Sequence, residues 1–128
     1  MSNTCCGAAQ PRMILACSGG SNVGQLTNQA AVELTREGQG KMFCLAGLGG
    51  GIPGLVQAAR GAVENGGVLV LDGCAVGCAK AIAEQSGLAG YDYLVVTDLG
   101  IDKVKDPQLA LRPEDVARVK QATAQGRG

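Results

Sequence analysis

Histidine is absent from the 128 residues. The commonest metal ligand and the commonest general base are therefore both missing, and Ser-His-Asp and Cys-His catalysis are excluded. Any transition-metal site must be built from cysteine, with carboxylates as the remaining option. Tryptophan is absent too, and aromatic residues make up 2% of the chain. The core must then be assembled from Val, Leu, Ile and Ala, and a nucleic acid would find almost nothing to stack on. Net charge is also lacking: Lys+Arg and Asp+Glu number 11 each. With no basic stripe, nucleic acid is not an expected partner. No apolar run reaches the length of a membrane span. Met1 to Arg12 holds no apolar stretch of the signal-peptide kind, so the expected location is the cytoplasm, with no membrane partner.

What the chain does have is 46% hydrophobic residues, 21 glycines and six cysteines. In a reducing compartment, cysteines at this density point to metal binding or redox work more than to a disulfide framework. The length suits one domain. Residues 1–11 read as a flexible tail carrying the adjacent Cys5 and Cys6, and residues 12–128 as a single α/β domain.

Along that domain, strand and helix signals alternate four times. Met13 to Ala16 is a continuous apolar run ending at Cys17, suited to a strand buried on both faces. Ser18 to Gly24 is a glycine- and serine-rich turn in which Ser21 or Asn22 can cap the next helix. Val23, Leu26, Ala30 and Leu34 recur at helical spacing, with Gly38 as a stop. Lys41 to Leu45 reads as the second strand and Ala46 to Gly51 as a mobile turn. Pro53 opens a second helix with Leu55, Val56, Ala59 and Val63 inward. Val68 to Leu71 is the third strand, and a third helix is expected from about Cys74 to Ser86, with Val76, Ile82 and Ala83 inward. Tyr91 to Asp98 supplies the fourth strand, and Pro113 to about Ala124 a final helix with Val116 and Val119 buried. The pattern predicts a three-layer α/β sandwich: a four-stranded parallel sheet with helices on both faces, order 2-1-3-4, as in the flavodoxin-like half of the doubly wound folds.

This fold gathers cysteines. Cys17 closes the first strand, Cys44 lies near the end of the second, and Cys74 and Cys78 follow the third. The carboxyl ends of parallel strands share one edge, where ligands bind. Four thiolates there can hold Zn²⁺ tetrahedrally, with zinc–sulfur distances of about 2.3 Å. On a helix, Cys74 and Cys78 would lie one turn apart, about 5–6 Å between Cβ atoms, too far for an unstrained disulfide. As alternatives, the two are a redox pair or simply small core residues. Asp72 can cap the third helix or act as an outer acceptor. Lys80 and Lys103 are placed to balance thiolate charge, and Ser18 to donate to sulfur or to an anion.

Three segments together resemble the DGC-domain family: Cys17-Ser-Gly-Gly-Ser-Asn-Val-Gly-Gln25, Cys44-Leu-Ala-Gly-Leu48 and Asp72-Gly-Cys-Ala-Val-Gly-Cys-Ala-Lys80. The resemblance spans about residues 12–105. It implies that the family's four candidate chelating cysteines fall on Cys17, Cys44, Cys74 and Cys78, with Zn²⁺ inferred from cysteine. It implies no reaction. Cys5 and Cys6 lie outside it.

Two other functions fit parts of the pattern. Cys17 and its glycine-rich turn resemble the phosphate loop of low-molecular-weight phosphatases and related arsenate reductases, which present an oxyanion with backbone N–H groups and a cysteine nucleophile. Val23 stands where that family places its arginine, so the anion clamp is missing. A thiol-redox role, with Cys17 resolved by Cys74 or Cys78, and the trapping of a soft ion such as arsenite or Cu(I) stay open. An enzymatic function is not the leading expectation.

Overall fold

The structure is a computed structural model that describes residues 11–126. Cys5, Cys6 and the expected tail, apart from Pro11, lie outside the described residues. Four strands, β1 (Met13–Ala16), β2 (Lys41–Met42), β3 (Val68–Asp72) and β4 (Asp92–Val95), form one sheet in the order β2-β1-β3-β4. All three pairings are parallel. The expected class and strand order both hold. The five helices are α1 (Asn22–Arg36), α2 (Leu45–Gly49), α3 (Pro53–Glu64), α4 (Cys78–Gln85) and α5 (Pro113–Gly126).

Strand alternation sorts the core into two faces. Leu15, Val68 and Val70 pack with Leu48 of α2, Ala59 of α3, and Ala79 and Ala83 of α4. Ile14, Ala16, Leu69 and Leu71 point the other way, against Ala31 and Leu34 of α1. Beyond them Val23, Leu26 and Ala30 of α1 meet Val116 and Val119 of α5. Every residue of β3 is buried, as a central strand covered on both faces requires. Helix α1 starts where its cap dictates: the Ser21 hydroxyl accepts from the Gly24 N–H at 3.2 Å.

Five expectations need correction. Strand β2 is two residues, not five. Its last link to β1 is the Phe43 N–H donated to the Ile14 carbonyl at 2.9 Å, after which Cys44 is the N-cap of the short helix α2. The glycine-rich run after Leu45 was expected to be a turn because glycine disfavours a helix by about 1 kcal/mol. Tertiary packing overrides that: a Cβ on Gly47 would meet the Leu55 side chain at 2.2 Å, so the missing side chain is what lets α2 lie against α3.

The third expected helix also starts later. Residues 74–77 form a turn, closed by the Gly77 N–H donated to the Cys74 carbonyl at 3.2 Å. Gly77 has the left-handed φ of 73°, which breaks any helix running through it. Helix α4 begins only at Cys78, so Cys74 and Cys78 are not neighbours on one helical face. Val76, expected inward, is 72% exposed. Finally, the fourth strand stops at Val95 and continues as a 3-10 turn, Val96–Leu99.

These placements separate two substitutions of similar chemistry. Leu71→Ala, in the fully buried core, is expected to cost about 2–5 kcal/mol of unfolding free energy, whereas Val76→Ala should change it by less than about 0.5 kcal/mol. Urea denaturation of both variants checks this.

Candidate thiol site at the carboxyl edge of the sheet

Strands β1, β2 and β3 are adjacent, so the segments that leave their carboxyl ends emerge side by side. Cys17 follows β1 directly, its N–H donated to the Leu71 carbonyl at 2.9 Å. Cys44 stands two residues beyond β2, Cys74 two beyond β3, and Cys78 opens α4. All four are free thiols; Cys17 and Cys74 are partly covered, while Cys44 and Cys78 are exposed.

Two clefts open on this edge. A cleft of about 280 Å³ is lined by Cys17, Cys74 and Cys78 together with the loop before α1 and by Lys103 and Lys105. A wider one of about 690 Å³ is lined by Cys17, Cys44 and Cys78, by Ser18, and by apolar groups including Phe43 and Ile82. Cys17 and Cys78 belong to both. The edge is therefore a central pair with one further thiol on either side. Among the described residues, no group of three or more Cys, Asp or Glu side chains is close enough to hold a metal ion. The chemistry of the donor set suits a soft metal; its spacing in this structure is too open for one.

Burial raises the Cys17 thiol above its ordinary range, and the charges of Asp72 and Cys78 push the same way. Hydrogen bonds from the Gly73 backbone and the Thr27 side chain oppose this without cancelling it. Thr27 also donates its hydroxyl to the Cys17 carbonyl.

Asp72 lines neither cleft. It is 1% exposed, and its carboxylate accepts from the Ala79 N–H at 2.7 Å, the Lys80 N–H at 3.0 Å and the Tyr93 hydroxyl at 2.7 Å. It thus caps α4 from the end of β3, doing what the N-cap residue Gly77 has no side chain to do. Lys80 lies over the Tyr93 ring, 5.3 Å from its centroid, rather than in either cleft. Lys103 does reach the thiols: its Nζ is 3.4 Å from Cys74 Sγ. Gly73 sits where two chain segments nearly touch. A Cβ there would fall 2.7 Å from the Val23 carbonyl carbon and 2.8 Å from the Gly24 nitrogen.

Tyr93 and Lys105 were missed in the sequence. Tyr93 left one trace: in a chain with two tyrosines, Tyr91 and Tyr93 are two apart and so share a strand face. Lys105 left none, because it comes from an irregular segment.

These features define a doubly wound α/β domain whose loops bring free thiols to the carboxyl edge of its sheet. The chain belongs to the DGC-domain family, whose description matches residues 13–123. It is similar to the anaerobic and virulence modulator AnvM of Pseudomonas aeruginosa PAO1, at 37% identity over 91 residues, covering 71% of this chain and 67% of that protein. No solved structure matches the chain significantly.

The close approach at Gly73 predicts that Gly73→Ala lowers stability by about 1–3 kcal/mol, since backbone rather than a flexible side chain must move; denaturant unfolding tests it. Tyr93 supplies a pH test. Burial, then the hydrogen bond to Asp72 and its charge, hold the phenol well above its ordinary value of 10.0. As pH rises past about 10, the unfolded chain releases this proton while the folded chain keeps it. The unfolded state then binds fewer protons, so stability falls with pH. The urea midpoint is expected to fall more steeply above about pH 10 in the native sequence than in Tyr93→Phe; parallel declines would contradict this.

Proposed function

We propose that this DGC domain binds Zn²⁺ through cysteine thiolates, with Cys17 and Cys78 as the central ligands and Cys44 and Cys74 completing the set. The observation that supports the reading best is the shared membership of Cys17 and Cys78 in both clefts, which leaves Cys44 and Cys74 flanking one pair. The absence of histidine leaves thiolates as the natural ligands. Because no three donors stand together beforehand, binding must draw a flanking thiol inward. Cys74 in its turn and the exposed Cys44 are the flanking thiols that would move. Thiols release protons on binding, so affinity should rise with pH. The chain would work in the reducing cytoplasm. The name of its Pseudomonas relative is a regulator's name, and a metal-responsive regulatory role suits a site without a general base.

A second reading has its own support. Cys17 and Cys78 line the same two clefts, and such a pair is what a thiol-redox role would use. Exchange with an external disulfide would join Cys17 to Cys78 and release two thiols.

Zinc titration of metal-free protein against a chromophoric chelator is expected to show one ion per chain. Cys17→Ser or Cys78→Ser should weaken binding by more than about 100-fold, and Cys44→Ser or Cys74→Ser by about 10–100-fold. Tight binding that survives loss of both Cys17 and Cys78 would overturn the proposal. Absence of zinc binding, together with a Cys17–Cys78 bridge in a mass map after mild oxidation, would favour the redox reading.

A further inference from the structure

The smaller cleft has a feature that zinc does not require. Among the residues that line it, the only charged side chains are Lys103 and Lys105. They come from an irregular segment that is fastened to the loop before α1 by Asn22. The Asn22 side chain donates to the Asp102 carbonyl at 2.8 Å and accepts from the Val104 N–H at 2.6 Å. The Asn22 N–H is donated to the Val104 carbonyl at 3.1 Å. One asparagine thus ties the two lysines to the rim of a cleft more than eighty positions away in the chain.

The same loop is braced from within. Gln25 Nε2 donates to the Gly19 carbonyl at 2.9 Å, and the Ser21 hydroxyl is held by the Gly24 N–H. Sequence alone had argued against an anion here, because Val23 occupies the position where an arginine would clamp one. The fold supplies cations from elsewhere. No ion pair to a carboxylate is formed by Lys103 or Lys105 among the described residues, whereas Lys120 is held by both Glu33 and Glu37.

We propose that the cleft between the Gly19–Gly20 loop and the Lys103/Lys105 segment binds a small, doubly charged tetrahedral oxyanion of the phosphate or arsenate class. Two lysines and no carboxylate in the lining select negative charge. The volume of about 280 Å³ admits a tetrahedral anion together with bridging water. Lysines act as point charges here rather than as a bidentate fork, so modest affinity and strong salt dependence follow.

Titration of metal-free protein with inorganic phosphate, read from amide chemical shifts, tests the proposal independently of whether the thiols take zinc. Shifts are expected to centre on Gly19, Gly20 and Gly73 and to saturate with a Kd of about 1 mM at low salt. Lys103→Gln and Lys105→Gln should each weaken binding by about fivefold, and the double variant should abolish it. Both side chains are exposed, so these variants should fold normally. Asn22→Ala, which keeps both lysines but unfastens their segment, should also weaken binding. No saturable shift up to about 20 mM phosphate, or unchanged binding in the double lysine variant, would overturn the proposal.

Discussion

A buried carboxylate holds the working edge of this domain together. Asp72 is 1% exposed, and a carboxylate out of water is costly unless it is hydrogen-bonded. Three donors meet that need: two N–H groups of the first turn of α4 and the Tyr93 hydroxyl. The helix start is a favourable setting for negative charge. The consequences spread outward. With its first turn pinned to the end of β3, α4 must begin at Cys78, and the preceding residues must make the turn that carries Cys74. The position of both thiols is therefore set by a residue that touches neither cleft.

The scarcity of large side chains is the second constraint. With almost no aromatics to fill space, the layers approach closely, and several glycines mark where they do. Gly73 is pressed against the Val23–Gly24 backbone, and Gly24 in turn against Gly19, where a Cβ would meet the Gly19 nitrogen at 2.7 Å. The Asp-Gly-Cys run can be read in physical terms: the aspartate fixes the helix, the glycine permits contact between two loops, and the cysteine faces the cleft that this contact narrows. Asn22 does for the 101–105 segment what Gly73 does for its own loop, bringing distant chain to the same edge.

Much of this was legible in the residues alone. The parallel sheet and its order, the burial of Ile14 to Ala16 and Val68 to Leu71, a cap at Ser21 or Asn22, and the inward faces of α1 and α5 all follow from periodicity and capping, which are local signals. The collection of cysteines at one edge followed from topology. What escaped depends on contacts between distant segments. Helix α2 exists because Gly47 packs on Leu55, against its own propensity. Helix α4 starts late because Gly77 adopts a left-handed conformation and Asp72 caps from another element. Lys103 was placed near the thiols in advance, but Lys105 and the asparagine that positions them both could be seen only in three dimensions. Tyr93 joins the network through a strand partner, not through a motif.

On the proposed function, a metal at the thiol edge gathers sulfur that does not converge beforehand. A zinc-edge X-ray absorption spectrum of the intact protein, purified without added metal, tests this most directly. It should show a bound ion whose shell is sulfur, three or four atoms at about 2.3 Å. A shell of oxygen and nitrogen, or no zinc edge at all, would contradict it.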